Sequence, residues 1–261
     1  MVQILELMAD PNAKTVKPPR KAAARPAAKR GTGARKLVKA AQSVGEAGDG
    51  AAPDGARAPG PRERAGEARR AAILKAALAV FARLGPDGAS VEAIAQAAGV
   101  SKPNLLYYYP SKDALYVAVL EQGLALWLSP LGRFTEADDP AQAIGALIAA
   151  KLEMSRDHPD VSRLFALEML RGAPLLKPVL AGPLKAVFDA KCAVIAAWVA
   201  AGKLAPVDPP HLIFAIWALT QHYADFAVQV RALTGKTLAD KGFMTETRDA
   251  VTALVLRGAL S

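Results

Sequence analysis

Residues 91–112 read VEAIAQAAGVSKPNLLYYYPSK, and their spacing predicts two short helices joined by a tight turn. Val91, Ile94, Ala95 and Ala98 fall at i, i+3, i+4 and i+7, one helical face, with Ser90 in the N-cap position before them. Gly99 is the expected stop, because glycine accepts the left-handed conformation at a helix C-terminus, and Val100 is placed to plug the core beneath the turn. Ser101 is the next N-cap, and Pro103 is tolerated in a first turn whose amides have no helical acceptors. Leu105 and Tyr109, four apart, point inward and leave Lys102, Asn104, Tyr107 and Tyr108 on or near the outer side. A short helix fixed by its neighbour and carrying cationic, amide and phenol groups outside meets the requirements of major-groove reading. A solvated αα-hairpin is the plainer alternative.

Upstream, Ile73, Ala76, Ala77, Val80, Phe81 and Leu84 form an apolar stripe of helical period within residues 62–84, and Gly85-Pro86-Asp87-Gly88 is a strong turn. Three helices around one small core then make a head. Arg62, Arg64, Arg69 and Arg70 precede or enter its first helix, where they suit either the DNA backbone or a solvated face.

Downstream, helices are expected at about 112–128 behind Ser111, 140–157 behind Asp139, 160–171, 183–201, 210–233 behind Asp208 and 245–257. There is no strand alternation and no fixed-period repeat. Within residues 211–230, Leu212, Ile216, Leu219 and Tyr223 lie on one side and Phe214, Trp217 and Gln221 on another, with Asp225 close to the second. A helix apolar over most of its circumference must be buried over most of it, so one side is expected against its own core or cavity and the other against a partner subunit.

The chain has 261 residues, is 52% hydrophobic and only 6% aromatic, which favours helices packed through small residues. Its net charge of +9 is uneven: residues 1–60 carry eleven Lys/Arg against five Asp/Glu. Residues 11–40 hold ten basic side chains and no acidic one, so this segment is expected to be a disordered tail, unable to bury enough apolar surface to offset its ordering entropy. It suits non-specific phosphate contacts, a solubilising extension, or a gene start set too far upstream. The single cysteine, Cys192, excludes an intrachain disulfide and fits a reducing cytoplasm. No stretch reaches the ~18 apolar residues of a membrane span, and MVQILELMAD lacks the basic region of a secretory signal. His158, His211 and His222 have no metal-ligand spacing, and no GxSxG or phosphate-binding glycine loop occurs, so neither a cofactor nor an enzyme is expected.

The segment GVSKPNLLYYYPSK at 99–112 resembles the GVSxxxLYYHFxSK pattern of TetR-type transcriptional regulators. It departs from that pattern at Leu106, where the family carries a tyrosine that touches a phosphate, and at Tyr108, where the family carries histidine. The resemblance implies that Lys112 contacts phosphate. Together with the exposed chemistry it puts Ser90, Ser101, Lys102, Pro103, Asn104, Tyr107, Tyr108 and Lys112 at DNA. Further segments, WLSPL, SRLFALEMLRGAPLL, WVAAGKLAPVDPPHLIFAIWALTQHYADFAVQV and LTGKTL, resemble pyrimidine-responsive members of that family, over about residues 69–261. This implies a homodimer that holds a double-stranded DNA operator until uracil or thymine occupies its effector domain. The expected organisation is all-α: tail 1–61, helix-turn-helix head 62–110, and effector-binding and dimerisation domain 111–261.

For the effector, indoles suit a planar base, a glutamine amide matches both donors and acceptors of its edge, and a carboxylate accepts from a ring N–H. Trp127, Trp217, Gln221 and Asp225 are therefore the main candidates, with Phe165 and Thr220 behind them. The alternatives are the same fold with another small effector, or a helical ligand-binding module without an operator.

Overall fold

The computed structural model describes residues 60–259, and every regular element among them is helical. The basic tail, with its expected disorder, falls almost wholly outside those residues. Helix α1 spans Pro61–Gly88. It turns Ile73, Ala77, Val80 and Phe81 inward, whereas Leu84 of the expected stripe is 44% exposed. The turn expected at 85–88 is real but tighter than a loop: Gly85 alone leaves helical conformation (φ 69°, ψ 168°), and the chain makes one more turn before Ala89 donates to the Gly85 carbonyl.

The two-helix stretch follows its sequence reading closely. Helix α2 (Val91–Ala97) begins where the Ser90 hydroxyl accepts the Ala93 N–H at 3.1 Å, and helix α3 (Lys102–Tyr108) where Ser101 accepts that of Asn104 at 3.3 Å. Between them Gly99 sits at φ +65°, a conformation that an L side chain resists, and Val100 N–H returns to the Ala95 carbonyl. Ile94, Ala95 and Leu105 are buried beneath the turn.

Helix α4 (Lys112–Leu128), helix α5 (Pro140–Asp157) and helix α6 (Pro159–Leu170) come next. A short turn at Lys177–Val179 and a wider π turn at Leu180–Leu184 lead into α7 (Lys185–Ala200). Pro183 therefore lies inside a π turn rather than opening the long helix. Helix α8 (Pro209–Asp225) stops at Phe226, short of the expected 233, because Phe226 leaves helical geometry (φ −112°, ψ 29°). Helix α9 (Ala227–Thr234) continues to Gly235, and α10 (Lys241–Ala259) closes the described chain. The cap-proline signatures hold: Asp139 and Asp208 accept the N–H groups of Gln142 and His211 at 2.9 and 3.3 Å.

The head does not fold around a core of its own. Ile73, Phe81, Ile94 and Leu105 share one apolar cluster with Leu115, Tyr116, Val119, Leu120 and Leu124 of α4 and with Leu164 of α6. One long helix and two of seven residues cannot exclude water from their inner faces unaided, and α4 and α6 supply the missing wall. A second cluster joins α5, α7, α8 and α10 through Ile148, Leu152, Trp198, Ile213, Ile216 and Val251. Where α4 crosses α6 a Cβ on Gly123 would stand 2.7 Å from Val161 Cγ1, so the Val161 side chain packs into the space that a side chain at 123 would need.

Candidate functional site

On the head, Lys102, Pro103 and Tyr107 are exposed, with Tyr107 at 82%, while Asn104 and Tyr108 are half-buried. Tyr107 and Tyr108 meet edge to face, and the Arg70 guanidinium lies 5.4 Å from the centre of the Tyr108 ring. Arg70 thus joins α1 to the outer face of α3. Lys102 donates to the Glu92 carboxylate at 2.5 Å, and that bond holds Glu92 below its ordinary carboxylate range. Both side chains are more than half exposed, so the bond is weak enough to exchange for a phosphate. Ser90 and Ser101 use their oxygens as caps and keep their hydroxyl hydrogens for another acceptor. Lys112 is half-buried and donates to the Ala89 carbonyl at 3.1 Å, so it clamps the start of α4 to the α1–α2 junction and has two N–H bonds left.

Among the effector candidates the structure makes a clear division. Trp127 of α4, Phe165 of α6 and Trp217 and Gln221 of α8 border one cavity of about 40 Å³, together with Leu124, Leu128, Lys151 and Leu184. Thr220 is fully buried but does not line it: its hydroxyl donates at 2.7 Å to Ile216 in its own helix, while its carbonyl accepts from Ser155. Asp225 does not line it either. Its carboxylate accepts from Ser162 at 2.5 Å, and burial raises it above its ordinary range against the opposing pull of Ser162, Arg163, His222 and Lys151. A larger groove of about 280 Å³ lies over the α4–α5 connection, but its acids serve the local backbone, Asp138 binding Thr135 and Asp139 capping α5.

Lys151 is the residue that sequence reading missed. It is 3% exposed, its ammonium nitrogen sits 3.8 Å from the centre of the Trp127 ring and 5.9 Å from that of Trp217, and it makes no hydrogen bond to a described residue. Burial pulls it down to about 7, against a smaller upward pull from Asp225. The signal was present: Ile144, Leu147, Ile148, Leu152 and Ser155 form the buried stripe of α5, and Lys151 falls within it. A lysine in the buried stripe of an otherwise apolar helix is costly. Trp127 is a second case, since its indole N–H is buried without an acceptor among the described residues.

The outer side of α8 is apolar and open. Phe214 stacks on Phe188 at 5.2 Å yet remains 52% exposed, while Leu212, Ile213, Ile216, Thr220 and Ala224 form the inward face. Phe226, Val228, Leu233 and Leu254 extend the exposed apolar surface along α9 and α10.

A capped helix-turn-helix joined through α4 to a cavity-bearing helical body defines a DNA-binding transcriptional regulator. Residues 73–119 match the model of the tetR family of bacterial regulatory proteins, and residues 120–261 match that of the C-terminal region of YcdC-like proteins. The chain is 57% identical over 199 residues to the HTH-type transcriptional regulator RutR of Escherichia coli strain K12, covering 76% of this chain and 94% of that protein. It is 31% identical over 115 residues to the HTH-type transcriptional repressor NicS of Pseudomonas putida, covering 44% of this chain and 54% of that one. The fold is shared with AibR in complex with isovaleryl coenzyme A and operator DNA (TM-score 0.57, 17% identity, 72% of this chain and 98% of that one). It is shared as well with a TetR-like transcriptional regulator from Rhodococcus sp. RHA1 (TM-score 0.55, 21% identity, 77% and 98%). The chain belongs to the TetR family of transcriptional regulators, RutR-like in its sequence, and such proteins are not enzymes. No helix among the described residues is long and apolar enough to cross a membrane.

Proposed function

We propose that this regulator is a homodimeric repressor that leaves its operator when a pyrimidine, uracil or thymine, enters the cavity between Trp127 and Trp217. The observation that carries the reading is the meeting of two indoles, a phenyl ring and the Gln221 amide around one cavity. A planar ring with alternating carbonyl and N–H groups is held by stacking and by an amide that offers both a donor and an acceptor. The similarity of the effector half to pyrimidine-responsive relatives supports the same ligand.

At about 40 Å³ the cavity is too small for a six-membered ring, so binding must part its walls. One of those walls is α4, whose first turn carries Ser111 and Lys112 against the head. Ligand entry and head position are therefore linked through one helix, and the ligand shifts the equilibrium by its differential affinity for the two arrangements. A second copy of the chain covers the apolar surface that Phe226, Val228, Leu233 and Leu254 extend from α8. Two heads then reach half-sites roughly 34–36 Å apart, with α3 in the major groove and Ser90, Ser101 and Lys112 on phosphates.

Retardation of the DNA upstream of this gene and its neighbours, with and without uracil, tests the reading. Release by uracil or thymine is expected. Gln221→Leu keeps the volume but leaves ligand polar atoms unpaired, so it should bind the operator while losing roughly five- to 150-fold in uracil affinity. Equal uracil affinity for the two proteins would remove Gln221 from the site, and no heat from either base with the parent protein would remove the pyrimidine.

A further inference from the structure

We infer that Lys151 is the specificity determinant of this cavity, and that with the Trp127 indole N–H it forms a donor-only pole that accepts ligands presenting a ring carbonyl oxygen and rejects those presenting an amino group. The inference rests on the cavity assignment above and narrows it to a chemical class. Its ground is the pair of polar groups that the fold leaves unsatisfied. Lys151 is 3% exposed, lies between the two indole rings and has no hydrogen-bond acceptor among the described residues. The Trp127 N–H is buried with none either. The contact that Lys151 does make is with the face of the Trp127 ring, and a buried donor left without an acceptor, as the Trp127 N–H is among the described residues, is costly where it stands.

Their chemistry is one-sided. An indole N–H only donates. An ammonium only donates, and next to an oxygen lone pair the charged form is favoured over the neutral amine. A ring bearing carbonyl oxygens satisfies both groups. A ring with an exocyclic amine at the same edge sets donor against donor at the Trp127 N–H and at the Lys151 ammonium, and only the neutral amine, populated above about pH 7, accepts from it, so discrimination between near-isosteres is strongest below that value. The mixed amide of Gln221 cannot make that choice, since it offers a donor and an acceptor alike.

The charge state gives a second signature. Burial holds free Lys151 at about 7, and Asp225 on α8 is the one opposing charge that acts on it among the described residues. That carboxylate is engaged by Ser162, with Arg163 and His222 around it. A carbonyl oxygen against the ammonium raises Lys151, so carbonyl ligands take up a fraction of a proton on binding near pH 7.5. Their affinity then falls as pH rises above the free value, by up to tenfold per unit.

The experiment is titration calorimetry of the full chain with uracil, thymine, hydantoin and cytosine, each in two buffers of different ionisation enthalpy, repeated with Lys151→Met and Trp127→Phe. Operator retardation of each variant reports that it is folded. The parent should prefer uracil to cytosine by at least 100-fold. Lys151→Met should lose about ten- to 100-fold for carbonyl ligands, lose the proton uptake and narrow the uracil-to-cytosine ratio. Trp127→Phe should keep the proton uptake and lose less. A folded Lys151→Met protein with parental uracil affinity and an unchanged ratio would overturn the inference while leaving the pyrimidine reading intact. Hydantoin binding that depends on Lys151, with no binding of uracil or thymine, would do the reverse, and failure of every carbonyl ligand would end both.

Discussion

The head and the effector half pack their helices by different rules. Around α1–α3 the buried side chains are apolar: Ile73, Ala77, Val80, Phe81, Ile94, Ala95 and Leu105. The polar or charged buried residues Lys151, Ser155, Ser162, Glu168, Thr220 and Thr247 all lie beyond the head. An apolar core is insensitive to pH and to small solutes, which suits a part that must present one rigid face to DNA. Buried polar groups with few partners are responsive, because a ligand or a proton changes their satisfaction. Ser155, Ser162 and Thr220 each have a partner, and Glu168 has two: it accepts from Tyr116 of α4 at 3.2 Å and from the Leu175 N–H at 2.9 Å, at the seam between the halves. There the polar bonds fasten. Around Lys151 they are left open.

This contrast is open to attack from either side. The largest effect is expected from Leu105→Ala, which hollows a fully buried position in the head: a loss of about 2–5 kcal/mol by urea denaturation, constant between pH 6 and 9. A pH-dependent loss there would break the contrast. Lys151→Met should do the opposite and stabilise the protein by about 1–4 kcal/mol. The sign follows from the folded state holding Lys151 at about 7 instead of the ordinary 10.5. Between those values the unfolded chain binds more protons, so native stability rises with pH. The gain from Lys151→Met should therefore be greatest at and below pH 7 and shrink as pH rises towards 10. A gain without pH dependence would mean that Lys151 is charged in the fold at every pH tested.

Gly123→Ala sharpens the seam. A methyl group 2.7 Å from Val161 Cγ1 forces that side chain or the helices to shift, at about 1–3 kcal/mol, and thermal melting should register the loss together with altered operator affinity. The smallest effect is expected from Ser101→Ala, which removes one cap at about 0.5–2 kcal/mol and loosens α3 in particular. Hydrogen exchange confined to 99–109 would confirm it, and exchange spread over α8 would not.

The head was legible because its signals are local. Ser90, Gly99 and Ser101 act on backbone groups within a few residues, so capping and turn chemistry set both helices before any tertiary contact is considered. The shared core was not, since Leu164 and Leu105 are far apart in sequence and no periodicity announces their meeting. In the cavity, Trp217 and Gln221 follow from i, i+4 spacing on one helix, and Trp127 and Phe165 were found as ring-bearing residues in the segments that resemble the family. Thr220 and Asp225 do not border the cavity: Thr220, next to Gln221 in sequence, points some 100° away around the helix and bonds within it, and the Asp225 carboxylate is taken by Ser162. Lys151 escaped because a lone lysine ordinarily belongs to the wet face, although its spacing of seven, four and three from Ile144, Leu147 and Ile148 already put it in the apolar stripe.

The close crossing at Gly123 has a mechanical side. Trp127 stands four residues beyond it along α4 and Lys112 eleven before it, distances of about 6 Å and 16 Å at 1.5 Å per residue. Pivoted at that fulcrum, α4 is a lever with arms in a ratio of about one to three. If ligand entry moves the indole as proposed, a rod pivoted there would return the displacement at Lys112 nearly tripled and reversed, and the Tyr116–Glu168 bond on the long arm would draw α6 along with it.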